Sequence, residues 1–407
     1  MTSLAPFKNK LFLIIWTATL ISNTGTWIHE IGANWLMISL TSSPFWIAMV
    51  QSAASLPTLF LAIPAGAFAD IVDKKRYLII LQIWMFLLTS ILCLLTATGS
   101  TSILSLLTLT FLIGIGTALM VPVWSSITPL IVIKADLPQS IALNSMGINL
   151  ARVIGPILGG VLLIYFNLEV LFALNAISFL FVIMALSYWT PNRNGATNQH
   201  SENFVSAIKN SLKYIKRESK LQHALVRALS FFIFASTLWA LLPTFSSQLY
   251  TDDPKAYSLL MSFLGLGAVS AVFFTNKLRT IFKVDNLLCI ASIGYATSML
   301  LLSFLTSYIH VLVAMFTAGF CWLLFLSPLI LATQEMLPNW IRARGMSFFM
   351  ATYMGAMAIG GMLWGKIASY AGISNTLLIA SCFLLVATVF VRNQLVGPAD
   401  QEALNIP

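Results

Sequence analysis

Charge is what this 407-residue chain has least of: only 9% of its residues are Asp, Glu, Lys or Arg. A water-soluble domain carries about 25%, so a soluble globule is excluded. The 58% apolar content and mean hydropathy of +0.89 describe a polytopic membrane protein instead. Carboxylates are scarcer still, 13 against 22 Lys and Arg. The net charge of +9 does not point to nucleic acid, because the cations sit in loops between apolar runs rather than on one face. Cysteine is sparse too. Cys93, Cys289, Cys321 and Cys382 lie inside apolar runs without a CxxC pair, which reads as small buried apolar residues rather than a redox or metal centre. The four histidines, His29, His200, His223 and His310, are scattered. There is no Walker loop, HExxH or GxSxG, and no polar cluster at one depth of the kind a membrane hydrolase needs. The chain is therefore read as a non-enzyme with no cofactor and no metal.

What is abundant is apolar length. A bilayer core takes about 20 residues of helix, and twelve windows qualify, from residues 11–39 to residues 374–394. The first is too long for a signal peptide and no cleavage site follows it. With twelve spans, all Lys and Arg except Lys255, Lys366 and Arg152 fall on the side shared by the two termini. The positive-inside rule then predicts that both termini are cytoplasmic, and the expected location is the plasma (inner) membrane. The expected class is an all-α membrane protein of twelve transmembrane helices. Its organisation is a six-helix bundle (residues 1–190), a cytoplasmic linker (191–221) and a second six-helix bundle (222–407). In the linker, Phe204, Ile208, Leu212 and Ile215 recur at helical spacing among lysines, a basic amphipathic helix suited to lipid headgroups or to a solvated connector.

The halves repeat. "PLIVIKADLP" (129–138) matches "PLILATQEMLP" (328–338), and "GAFADIVDKKR" (66–76) aligns with "GAVSAVFFTNKLR" at an offset of about 201 residues. Duplicated six-span bundles enclose a shared gap. The stretch 66–76 also holds five of the first half's few charges. Gly66, Asp70, Lys74 and Lys75 fit Gly-x-x-x-Asp-x-x-x-[Arg/Lys]-[Arg/Lys], with Asp73 where Gly is common, and Arg76 adds a third cation for the lipid surface. This pattern resembles the loop between spans two and three of the major facilitator superfamily. The resemblance implies a 6+6 pseudo-twofold fold and a loop that latches the halves in one state. The second copy has Ala271 in place of Asp70, so the expected latch is one-sided. "SNTGTWIHEIGANWLMISLTSSP", "LNSMGINLARVIGPILGGVLL" and "LPNWIRARGMS" resemble the superfamily's efflux branch, the transmembrane secretion effectors that include enterobactin exporters. That resemblance implies a cargo of small organic molecules, siderophores foremost, usually exported against protons by a monomer.

Polar residues inside the spans are the functional candidates. Asn23, Trp27, Glu30 and Asn34 share one face of span one. Glu30 lies about 28 Å along that helix, either as a proton carrier or as a carboxylate at the outer mouth, solvated or paired with His29. Asn149, Arg152 and Pro156 form a stripe on span five, and an Arg near the midplane must face a cavity, a carboxylate or carbonyls. Arg152 serves either as a planar donor to an anionic or catechol-like substrate or as a tie between helices. Glu30 sits too far along its own helix to be the expected partner. Gly155, Pro156, Gly159 and Gly160 resemble, in part, the span-five motif of proton-coupled antiporters, with Ala151 where that motif begins with Gly; small-residue packing is the plain alternative. Trp124, Trp239, Trp322 and Tyr353 are candidates to line an amphiphile cavity. Span four carries no ionisable group, and the second half shows no obvious intramembrane charge, which points to neutral or amphipathic cargo. Multidrug efflux and lysophospholipid flipping are the alternatives, with a receptor on the same scaffold behind them.

Overall fold

The computed structural model describes residues 5–68, 72–190, 213–214, 217–250, 254–338 and 341–396. The linker's amphipathic stretch and Asp70 lie outside the described residues. Twelve helices are long and apolar enough to cross a membrane. They are α1 (Lys10–Leu40), α2 (Pro44–Phe68), α3 (Lys74–Ala97), α4 (Ile103–Ile131), α5 (Leu137–Tyr165), α6 (Leu168–Tyr188), α7 (Ser219–Leu249), α8 (Pro254–Ile281), α9 (Val284–Leu302), α10 (Tyr308–Met336), α11 (Arg342–Ala371) and α12 (Ile373–Val391). In lipid each backbone group must bond within its own segment, and caps serve the ends. The Asn9 side chain accepts from the backbone N–H groups of Leu11 and Phe12, and Ser102 and Ser105 form a reciprocal capping box at α4. The face where α1 begins and α12 ends is called here the terminal face, the opposite one the distal face.

Packing repeats with a shift of six helices. α1 lies on α5 and α6, as α7 lies on α11 and α12; α2 pairs with α4 and α3 with α6, as α8 pairs with α10 and α9 with α12. Between halves, α2 runs against α11 and, related by the same pseudo-twofold axis, α8 against α5. α1 and α7 meet beside that axis. This is the 6+6 major facilitator fold read from the sequence.

Small residues make the cross-half contacts close. Gly365 and Gly361 on α11 sit against Ala48 and Ser52 on α2, and Gly66 near α2's terminal end faces Ser347 on α11. Ser52 Oγ donates to the Ala358 carbonyl at 2.9 Å. Gly160 of α5 sits against Ser258 of α8, and Gly265 of α8 against the Arg152 carbonyl. Side chains of ordinary size would push these axes apart.

The three largest fully buried side chains, Trp322, Tyr257 and Tyr295, belong to the second half, where aromatic residues of α7, α9 and α10 interlock. Of the four cysteines only Cys321 is buried; Cys382 is exposed on the surface of α12. It therefore fills no core, in contrast to the sequence reading.

Candidate functional site

α1 is built with two faces. Gly25 lies against Ser178 and Asn175, and Gly32 against Leu171 and Phe172, so its glycine face beds onto α6. The face bearing Asn23, Trp27 and Glu30 is left half-buried toward the other helices. Asn34, one turn further, is buried and donates back to the Glu30 carbonyl, so it is spent on its own helix. His29, one residue before Glu30, turns toward α6 and stacks edge-on against Phe172 at 5.0 Å. It is not the partner of Glu30 that the sequence suggested, because neighbours in a helix point about 100° apart.

The small residues of α5 set where Arg152 lies. Gly155 sits against Trp27 and the Thr24 carbonyl, and Gly159 against Ile31. A Cβ at Gly155 would overlap Trp27. With α5 this close, Arg152, three residues earlier, brings its guanidinium carbon to 5.8 Å from the Trp27 ring centre. The register sets the Arg152 backbone about 10 Å nearer the terminal face than that of Glu30. The two side chains do not close to an ion pair, yet each lies within electrostatic range of the other. The separation expected from sequence is thus partly bridged by the long Arg side chain.

From Trp27 the contacts cross between the halves. Its ring lies 6.3 Å from Trp239 on α7, which lies 5.1 Å from Trp322 on α10, itself 6.3 Å from Tyr353 on α11. Phe232 backs this wall, 4.3 Å from Tyr353 and 5.1 Å from Trp322. Tyr353 is in turn within electrostatic range of Arg152, and Tyr257 of α8 within range of Glu30. Arg152, Trp27, Trp239, Trp322 and Tyr353 therefore form a circuit drawn from five helices and both halves. Its charges, Glu30 and Arg152, come from the first half, and its aromatic wall comes mainly from the second.

Several donors on this circuit have no partner among the described residues: Arg152 Nε and Nη1 and Trp239 Nε1. The Asn149 amide, one turn from Arg152, donates to the Ser145 carbonyl but leaves its oxygen unpartnered. A buried group without a hydrogen bond costs about 1–3 kcal/mol, more if charged. Groups left in that condition at the junction of two halves are suited to bind something that supplies the missing bonds.

Other candidates fall elsewhere. Trp124 packs with Val123, Ile127, Leu186 and Trp189 in a first-half cluster away from the aromatic circuit. Its side chain serves local packing, because α4 turns it toward that cluster. Lys75 donates to the Ser187 and Trp189 carbonyls at 2.9 and 2.6 Å, tying α3 to the end of α6 within its own half. Arg76 is exposed and pairs with Asp73, 3.6 Å away, whose side chain also caps α3. Lys74 is half-buried at the start of α3. Pro156 is buried beside Gly155.

The sequence reading missed Arg227, Tyr257 and Phe232. Arg227 on α7 is 2% exposed and meets Asp285 of α9 at 3.3 Å. It also donates to the carbonyls of Gln394 and Arg392. Asp285 accepts from the Val396 N–H, so the pair clasps the segment after α12. The contacts of Arg227 with the first turn of α9 and with the segment after α12 place it near the terminal face, among the cations already assigned to the side of the termini. Among the described residues no three His, Cys, Asp or Glu side chains gather as a metal site.

The profile of the transmembrane secretion effectors matches residues 1–406. Among curated proteins, the staphyloferrin A transporter of Staphylococcus aureus (strain NCTC 8325 / PS 47) is 24% identical over 277 residues, 68% of this chain and 69% of that protein. The MFS-type transporter YfiS of Bacillus subtilis (strain 168) is 23% identical, covering 93% of this chain and 92% of the relative. Of the solved structures, a mutant of the nucleoside transporter NupG superposes with a TM-score of 0.76 at 13% identity, covering 94% of this chain and 99% of that one. A D-xylose–proton symporter gives 0.73 at 14%, covering 93% and 96%. At these identities the solved structures speak for the fold alone. The helices, the six-helix repeat and the full-length profile agree: this chain belongs to the transmembrane secretion effectors, a family of major facilitator transporters.

Proposed function

We propose that this chain is a secondary exporter of small amphipathic organic molecules, driven by proton antiport, with siderophores as the leading cargo. It works as a monomer in the plasma (inner) membrane with both termini in the cytoplasm, the orientation its cation bias favours. The observation that carries the reading is the circuit between the halves. It combines one carboxylate, one incompletely bonded guanidinium and an aromatic wall, the makeup an amphiphile requires. The family description and the likeness to a staphyloferrin A transporter support export and a siderophore cargo.

In this mechanism the cargo binds between the halves, and rocking of one half against the other exposes it to each side in turn. The glycine contacts of α2 with α11 and of α5 with α8 let those helices slide at close range. Gly155, Pro156, Gly159 and Gly160 hold α5 tight to α1 and α8. Gly66, Asp70, Lys74, Lys75 and Arg76 belong to the sequence pattern whose family role is to latch one state; Gly66 lies at the end of α2 and the three cations open α3. Glu30 carries the exchanged proton, Trp27, Trp239 and Tyr353 receive the apolar body, and Asn23 of α1 and Asn149 of α5 offer further polar groups. Trp124 is assigned no cargo contact.

A deletion strain complemented with the chain tests this. Siderophore should accumulate in the medium, and an uncoupler should abolish the accumulation. Unchanged siderophore together with raised resistance to dyes and antibiotics would transfer the reading to multidrug efflux, which the aromatic wall also suits. Lysophospholipid flipping is less well supported, since both central charges lie in one half.

A further inference from the structure

The circuit has a polarity that narrows the cargo beyond "amphipathic". Arg152 carries a full positive charge with Nε and Nη1 free, and Trp239 adds a free indole N–H. These three unpartnered donors suit acceptor-rich groups, of which a carboxylate is the simplest that takes an Arg fork. Glu30 stands about 10 Å further along α1 by backbone position, without closing onto Arg152. Opposite charges held apart in a half-buried setting attract each other strongly. They stay apart here because Gly155 and Trp27 fix α5 against α1 at a register that separates them. A single anion would satisfy Arg152 and leave Glu30 facing it. A single cation would do the reverse.

We infer that the circuit receives a zwitterionic headgroup, with a carboxylate on Arg152 and Trp239 Nε1, an ammonium on Glu30, and an aromatic or branched apolar body against Trp239, Trp322 and Tyr353. This rests on the exporter reading and adds its substrate class. It also explains antiport. An ammonium and a proton compete for one carboxylate, so cargo binding expels the proton. A purely anionic cargo would instead favour protonation of Glu30 and give cotransport. The titratable groups within electrostatic range of Glu30 are Arg152 from α5, Tyr257 from α8 and Tyr353 from α11, while His29 of its own helix is turned to α6. Among these, Glu30 is the only carboxylate.

Three probes with one indole body separate the possibilities: tryptophan (zwitterion), tryptamine (cation) and indole-3-propionate (anion). Their binding to the purified full chain in lipid nanodiscs is measured by calorimetry, with no gradient and no transport. Tryptophan should bind at least tenfold more tightly than either other probe. Arg152→Gln should reduce tryptophan to the level of tryptamine, and Glu30→Gln should reduce it to that of indole-3-propionate. Equal affinity of tryptophan and indole-3-propionate would overturn the inference in favour of an anion site, and equal affinity of tryptophan and tryptamine in favour of a cation site. Binding of none of the three would overturn it outright. The wild-type ranking decides even if a variant fails to fold. Export failing while the ranking holds would count against the exporter reading alone.

Discussion

Replacing Arg152 by Met should make the protein more stable and inactive. The guanidinium gains a cation–π contact with Trp27, worth about 0.5–2 kcal/mol, and attraction from Glu30 across an open distance. Against this stand two buried N–H groups without partners, each costing about 1–3 kcal/mol. Methionine keeps much of the volume and the flexible stem, so it leaves little cavity. Before the attraction of Glu30, the balance favours the variant by about 0–5 kcal/mol, the difference between those contributions; that attraction lowers it, and a modest net gain is expected. A thermal unfolding scan of purified protein in detergent should show a higher apparent midpoint, while efflux from the complemented deletion strain falls to background. A variant destabilised by about 2 kcal/mol or more would refute the reasoning. It would mean that Arg152 ties α5 to its neighbours, as a well-bonded structural Arg does.

Three further outcomes follow from the same geometry. Glu30→Gln should leave expression intact, remove the dependence of export on the proton gradient and flatten its pH profile, followed as uptake into inverted vesicles across a series of imposed pH differences. Asp285→Ala leaves Arg227 buried with its counter-charge gone, and should cost about 3–5 kcal/mol, visible as a lowered unfolding midpoint and as protease cleavage of the segment after α12. Gly160→Leu places a branched side chain where α5 meets Ser258 of α8. It should block cargo efflux with little loss of folded protein, checked by export rate against the yield of monodisperse protein.

The spans were legible because a bilayer sets a length and composition that few soluble segments meet. The six-helix shift of packing partners was legible in "PLIVIKADLP" and "PLILATQEMLP". Glu30 and Arg152 announced themselves, since an ionisable group in a span is costly. Their separation was harder to read. It depends on Gly155 admitting Trp27, which fixes how deep α5 sits beside α1, and a motif of small residues does not state its partner. Trp124 and Trp239 look alike in sequence. Only the rotation of α4 and α7 sends one to a local cluster and the other to the meeting of the halves. Phe232 and Tyr257 were hidden among many aromatics, and Arg227 meets Asp285 across 58 residues of chain. Lys75 reads as an orienting charge, but its target is the carbonyl end of α6, which no local pattern signals.

If two six-helix halves rock about a site between them, the spacing of α5 and α8 must change in opposite senses at the two faces. After the four cysteines are replaced, spin labels on Ile141 and Lys277 report the α5–α8 distance near the terminal face, and labels on Tyr165 and Lys255 report it near the distal face. Pulsed dipolar spectroscopy on the chain in nanodiscs, with and without cargo and at two pH values, reads both distances. One pair should widen as the other narrows. Distances that stay fixed, or that change in the same direction at both faces, would contradict it.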